Sequence, residues 1–138
     1  MKLVLDTNVL IAAFITRGVC ADLLKHCFLS HTILASDFIL DELQGHLVRK
    51  FKYTDQEAIE AVSLLASHVE IVAPKSLDKQ VCRDPDDDQI LGTAIASLAI
   101  CIVTGDKDLL VLQRYEEIEI VSPGDFADFE TKDDENQL

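Results

Sequence analysis

Residues 84–110, DPDDDQILGTAIASLAICIVTGDKDLL, decide the fold. Ile90, Leu91, Ala94, Ile95 and Leu98 recur at helical spacing, so the segment opens as an amphipathic helix with Asp84 as N-cap and Pro85 as first residue. Ala99 to Val103 is the most apolar strand in the chain, and it delivers Thr104-Gly105-Asp106-Lys107-Asp108 at its carboxyl end. A buried strand that needs no polar alternation, placed directly after an amphipathic helix, is the signature of a parallel sheet covered on both faces.

The same grammar extends outward. Lys2 to Leu5 is a short apolar strand ending at Asp6, and Thr32–Ala35, Val69–Val72 and Ile118–Val121 are further strands. After a polar break at Thr16 to Gly18, Val19, Cys20, Leu23, Leu24, Cys27 and Phe28 mark one helix. Ile39, Leu40, Leu43 and Leu47 mark another, capped by Ser36 and carrying Glu42 at its stripe's edge. Thr54 and Glu57 form a capping box ahead of Ile59, Val62, Leu65 and Ala66. Leu109, Leu110 and Leu112 begin a further helix, and 123–129 is a last short one before an acidic, frayed tail. The pattern predicts a three-layer α/β/α sandwich with a central, mostly parallel sheet: one domain over 1–129 and a tail over 130–138.

At 138 residues the chain suffices for one core without a disulfide or metal staple. Twelve basic residues against 25 acids give a net charge of −13, which excludes a protein that holds nucleic acid by a broad basic surface. Much of that charge sits in the tail and in eight acids of the motifs (Asp6, Glu42, Asp84, Asp86, Asp87, Asp88, Asp106, Asp108), so the remaining surface is nearly balanced and has room for a basic rim at Arg49, Lys50 and Lys52. Cys20, Cys27, Cys82 and Cys101 form no CxxC pair; they read as small buried hydrophobes in a reducing cytoplasm, not as a zinc ribbon. His26, His31, His46 and His68 are scattered without HExxH spacing, which gives none a catalytic role. The run LVLDTNVLIAAFI is broken by Asp6 and Asn8 and has no basic leader, so neither a membrane span nor a signal peptide is expected.

Ligands of an open parallel sheet bind beyond the carboxyl ends of its strands, where strand order reverses. Asp6 and Asp106 both follow strand ends. At 100° per residue the centre of the Ile90–Leu98 stripe falls almost on Asp87, whereas Asp84 and Asp86 fit capping and the helix dipole. Gathered carboxylates repel unless a cation joins them, and oxygen ligands without clustered His or Cys point to Mg²⁺ or Mn²⁺. Asp108 reads equally as N-cap of the helix at Leu109 or as a metal contact; Thr104 and Asn8 are candidate supports.

LDTNVLI, ILDEL, DPDDDQILGTA and IVTGDKDLL followed by VSPGDF resemble, in order and spacing, the PIN-domain ribonucleases, and within them the toxin components related to VapC. The resemblance implies a Mg²⁺ or Mn²⁺ site from Asp6, Asp87 and Asp106, with Glu42 as the remaining acid, Asp108 nearby, and Thr93-Ala94 following Asp87 by six and seven residues. It also implies endonucleolytic cleavage of RNA, a homodimer or higher homo-oligomer, and silencing by a protein antitoxin. A haloacid-dehalogenase-type phosphatase needs a second Asp where Asn8 stands, and a receiver domain's paired N-terminal acids have no counterpart. A non-catalytic interaction module on the same fold is the competing reading from another class.

Overall fold

The computed structural model describes residues 1–136. Six strands, β1 (Lys2–Leu5), β2 (Thr32–Ala35), β3 (Glu70–Ile71), β4 (Cys101–Val103), β5 (Arg114–Tyr115) and β6 (Ile118–Val121), form one sheet in the order β3-β2-β1-β4-β6-β5. All pairings are parallel except the β5–β6 hairpin. Seven helices flank it: α1 (Thr7–Ile15), α2 (Val19–Ser30), α3 (Asp37–Phe51), α4 (Asp55–Ala66), α5 (Pro85–Ser97), α6 (Lys107–Leu110) and α7 (Phe126–Asn136). This is the expected mostly parallel α/β/α architecture.

The chain leaves β1 for β2 and β3 in one direction, then crosses back past β1 to β4 and β6. Right-handed crossovers put α1 to α4 on one face and α5 and α6 on the other. Packing agrees, since α1 meets α2 and α3, α3 meets α4, and α5 lies against β1, β2 and β4. The reversal falls between β1 and β4, whose register aligns Leu5 with Val103. Asp6 and Thr104 therefore follow side by side, and the Asp6 N–H donates to the Val103 carbonyl at 2.9 Å.

Sequence patterns hold where periodicity is clean. Ile39, Leu40, Leu43 and Leu47 are all buried, Ser36 caps α3, and the Thr54–Glu57 capping box is present in both directions. In α4 the inner stripe is Ala58, Val62 and Leu65, and Ile59, expected inside, is exposed at its edge. α1 had no periodic signal because nearly every position is apolar; it buries Val9, Leu10 and Ile11. The helix expected from Leu109 to Leu112 is a single turn, because the chain turns into the β5–β6 hairpin, itself unmarked by the hydropathy pattern.

The C-terminal segment needs a correction. The helix expected to stop at Phe129 and fray runs to Asn136, with Glu130 accepting hydrogen bonds from two histidines; positions 137–138 of the expected tail lie outside the described residues. Among the described residues no single helix is long and apolar enough to cross a membrane.

Gly92 marks the tightest backbone approach near the site. Its carbonyl accepts from the Lys75 N–H at 3.0 Å, and a Cβ at Gly92 would run into the Lys75 carbonyl oxygen, which cannot swing aside like a side chain. Gly92→Ala should therefore lower unfolding free energy by about 1–3 kcal/mol in urea denaturation. An unchanged midpoint would show that the 75–92 contact is loose.

Candidate metal centre at the sheet's switch point

Asp6 ends β1 and caps α1. It is 4% exposed, and both oxygens are engaged: Oδ1 accepts from the Thr7 N–H at 2.7 Å and Oδ2 from the Thr104 hydroxyl at 2.6 Å. Thr104 is fully buried and bridges two acids, because its Oγ also accepts from the Asp106 N–H at 3.0 Å. Burial pushes the Asp6 carboxyl up to about 6, against those two hydrogen bonds and with help from the Glu42 and Asp106 charges.

Asp87 occupies the inner side of the first turn of α5, where helical phase put it. Partial burial, then the charge and hydrogen bonding of Asp106, then Asp6 and Asp84, raise its carboxyl to about 7. One ligand oxygen each from Asp87, Asp106 and Asp108 lies within 4.8 Å of the others. Asp6 is outside that trio yet is felt electrostatically by Asp87. Glu42, half-buried on α3, acts on Asp6 from the opposite helical layer.

The other acids separate by role. Asp84 caps α5, its Oδ1 accepting from the Asp86 N–H at 2.9 Å, and Asp86 is exposed. Asp88 accepts from the Val81 and Cys82 N–H groups at 2.9 and 2.8 Å, so it ties down the loop before α5. Asp106, not Asp108, is the N-cap of α6, accepting from the Asp108 N–H at 2.9 Å; a two-residue shift of the helix start moves the cap. Asp108 instead pairs with Arg83 at 3.0 Å. Asn8 is exposed in the first turn of α1, with no hydrogen bond to these carboxylates among the described residues.

Sequence reasoning did not single out Arg83, Thr7 or the Ser36–Thr93 pair. Arg83 opens the RDPDDDQ segment, so its proximity to the acids was readable, but its partner was not. Thr93 is fully buried; its hydroxyl donates to the Gln89 carbonyl at 2.8 Å and shares a hydrogen bond with the Ser36 hydroxyl at 3.0 Å, tying α5 to the start of α3 across the sheet end. Thr7 Oγ is the one buried side-chain polar atom without a partner among the described residues, and it belongs to the residue next to Asp6.

The donor set fits a hard divalent cation. Among the described residues no basic side chain forms an ion pair with Asp6, Asp87 or Asp106, so their mutual repulsion is answered only by proton uptake or by an added cation. Carboxylate oxygens alone favour Mg²⁺ or Mn²⁺ over zinc.

An open parallel α/β sheet with acids converging at its switch point is the class these features define. The sequence profile of the PIN domain matches residues 2–108, and the chain belongs to that family. It is 33% identical over 119 residues to an uncharacterized protein of Methanocaldococcus jannaschii, MJ1680, covering 82% of this chain and 76% of that protein. In fold it is similar to a chain of Rickettsia felis VapBC2 bound to a DNA fragment from the promoter (TM-score 0.65, 20% identity, 88% of this chain and 98% of that one). It is also similar to Mycobacterium tuberculosis VapC20, a sarcin-ricin loop cleaving toxin (TM-score 0.60, 14% identity, 85% and 98%).

The raised carboxyls have a consequence for stability. Unfolded, these groups return to the usual carboxylate range near 3.8, so between that value and about 6 (Asp6) or about 7 (Asp87) the folded state holds protons that the unfolded state has lost. Stability then falls as pH rises. In EDTA, the unfolding free energy should decline by about 1–2 kcal/mol from Asp6 alone between pH ~4.5 and ~7.5, and Asp6→Asn should make the decline shallower while leaving the Asp87 contribution. A wild-type profile that stays level or climbs over that range contradicts this assignment.

Proposed function

We propose that the protein is a Mg²⁺- or Mn²⁺-dependent endoribonuclease that hydrolyses RNA phosphodiester bonds. The observation that carries this reading is the meeting of Asp87, Asp106 and Asp108 oxygens within 4.8 Å, beside buried Asp6 and, among the described residues, with no basic side chain paired to Asp6, Asp87 or Asp106. Asp6, Asp87 and Asp106 would hold the ion, with Asp108 beside them. Once bound, the ion lowers the pKa of a water and neutralises the phosphodiester's charge. Glu42 orients the attacking water from the α3 side and accepts its proton. Thr104 fixes the two strand-end acids relative to each other, and Arg83 restrains Asp108 at the rim.

Substrate approach has a basic side. Arg49 lies seven residues beyond Glu42 on α3, hence on the same helical face about 10 Å along the axis. Its guanidinium folds back over Gly45, where a Cβ would sit 2.7 Å from a guanidinium nitrogen. With exposed Lys50 and Lys52 beside it, this end of α3 offers phosphate contacts that the acidic remainder of the surface does not.

The solved relatives named VapBC support a further step: the chain acts in the cytoplasm as the toxin of a toxin–antitoxin pair, as a homo-oligomer restrained by a protein antitoxin. A non-catalytic module on this fold would have no use for a desolvated, repelling acid cluster.

Purified protein given a mixed RNA pool should cleave it with Mn²⁺ and not with EDTA. Asp6→Asn, Asp87→Asn and Asp106→Asn should each reduce cleavage by roughly 10²–10³-fold or more while circular dichroism stays unchanged. Cleavage that survives all three at the wild-type rate removes the nuclease reading. Because Asp108 is already paired, Asp108→Asn should cost less than Asp106→Asn. Arg49→Ala should raise KM and flatten its salt dependence with little change in kcat, and an unaltered KM would mean that RNA enters elsewhere.

A further inference from the structure

A second convergence of metal-ligating atoms lies at the other end of the sheet. His26 on α2, His31 just ahead of β2 and Glu130 on α7 each turn one ligand atom to a common point, all within 4.8 Å of one another. His26 Nε2 lies 2.6 Å from Glu130 Oε2, and His31 Nε2 reaches the same oxygen. The histidines are scattered in sequence and join a carboxylate a hundred residues on, so spacing alone gave no sign of the group. β2 is in register with β1 from Lys2 and Thr32, so His31 is level with Met1, roughly 16 Å from Asp6 at about 3.3 Å per residue.

We propose that His26, His31 and Glu130 bind one zinc-class divalent cation at a site separate from the acid cluster. Two imidazole nitrogens with one carboxylate is a borderline donor set that suits Zn²⁺ and serves Mg²⁺ poorly. The rings cross at 85° with centroids 5.5 Å apart, so their Nε2 atoms meet from different directions instead of stacking in parallel. Opening the hydrogen-bonded contacts to the ~3.3 Å ligand separation of a tetrahedral ion requires shifts of under about 1 Å. His31 is fixed from behind: its ring packs edge-on to buried Phe126 at 6.0 Å, and its Nδ1 lies 3.2 Å from the Met1 amino nitrogen. That contact holds the ring from its Nδ1 side and leaves Nε2 facing Glu130, the orienting role that outer partners of ligating histidines play. His26 is 47% exposed, which leaves the fourth position to water.

The site has a structural purpose. α7 buries only Phe126 fully, so apolar packing alone docks it weakly. A cation held by all three residues pins α7 to α2 and the start of β2, and binding only the folded state stabilises it by mass action.

The test uses full-length protein at pH 8, stripped with chelator and then held in excess Mg²⁺ to fill the acid cluster. Calorimetric titration with ZnCl₂ should show one site in wild type and in Asp87→Asn, weakened about 100-fold or more in His26→Ala and in Glu130→Ala. CoCl₂ should give the intense visible bands of four-coordinate Co²⁺ in the first two proteins only. His26 is half-exposed, so its alanine variant keeps the fold even if Glu130→Ala does not. Equal Zn²⁺ affinity and equal Co²⁺ spectra in wild type and His26→Ala overturn the proposal, as does the absence of any Zn²⁺ site in wild type.

Discussion

The protein is organised around an electrostatic conflict that its fold creates and that no basic side chain among the described residues relieves. β1 and β4 run side by side in register, so the residues that follow them, Asp6 and then Thr104 to Asp106, emerge at one place. α5 begins beside them and adds Asp87. Each carboxylate loses hydration there and sees the others' charge, which is why two of them are held well above the usual carboxylate range. Apolar burial in the sheet and its helical layers stabilises an arrangement that these acids alone would push apart. Thr104 makes the geometry firm, since one hydroxyl donates to the Asp6 carboxylate and accepts from the Asp106 backbone, so neither the Asp6 carboxylate nor the Asp106 main chain can shift without breaking a hydrogen bond.

That logic explains which parts of the site could be read from residues alone. Asp87 was legible because helical phase is a strong constraint: an acid at the centre of an apolar stripe is turned away from the open face of its helix, and Asp87 is half-buried beside Asp106. Asp6 and Asp106 were legible because a parallel sheet exposes its strands' carboxyl ends at a switch point. The partners were not, since Arg83 reaches Asp108 through space from a loop with no periodicity, and Thr93 meets Ser36 across 57 positions. The same reasoning covers the fold. Alternating and capped segments declared themselves, whereas α1 is apolar almost throughout and so carries no phase, and the two-residue β5 falls below the length at which any pattern forms. The acidity of 130–136 suggested fraying because composition cannot show that Glu130 finds two histidines.

A net charge of −13 would repel a polyanion if it were spread evenly. Its distribution changes the conclusion. The acids that converge at the switch point are the ones a divalent ion would neutralise, and the exposed cations of α3 sit on the same helix as Glu42. Gly45 has a specific part here, because its missing side chain leaves the space into which the Arg49 guanidinium folds, toward the acid end of the helix. An alanine at 45 would have to displace that guanidinium. The surface can thus be acidic overall and still present phosphate-binding groups on the helix that carries Glu42.

Ligand hardness separates the two metal-competent clusters as firmly as distance does. The switch-point acids offer only oxygen, and their spacing follows from strand register, which no single side chain can adjust. The His26–His31–Glu130 group mixes nitrogen with oxygen and is assembled from a helix, a strand entry and the C-terminal helix, so its spacing depends on how α7 docks. An ion favouring imidazole would therefore act on the position of α7, and one favouring carboxylate on the charge balance at the strand ends. Since α7 follows β6 after a four-residue turn, tightening its attachment restrains β6, the neighbour of the strand that leads to Asp106. The two donor sets thus differ in the cation each prefers, oxygen alone favouring a hard ion and imidazole a borderline one.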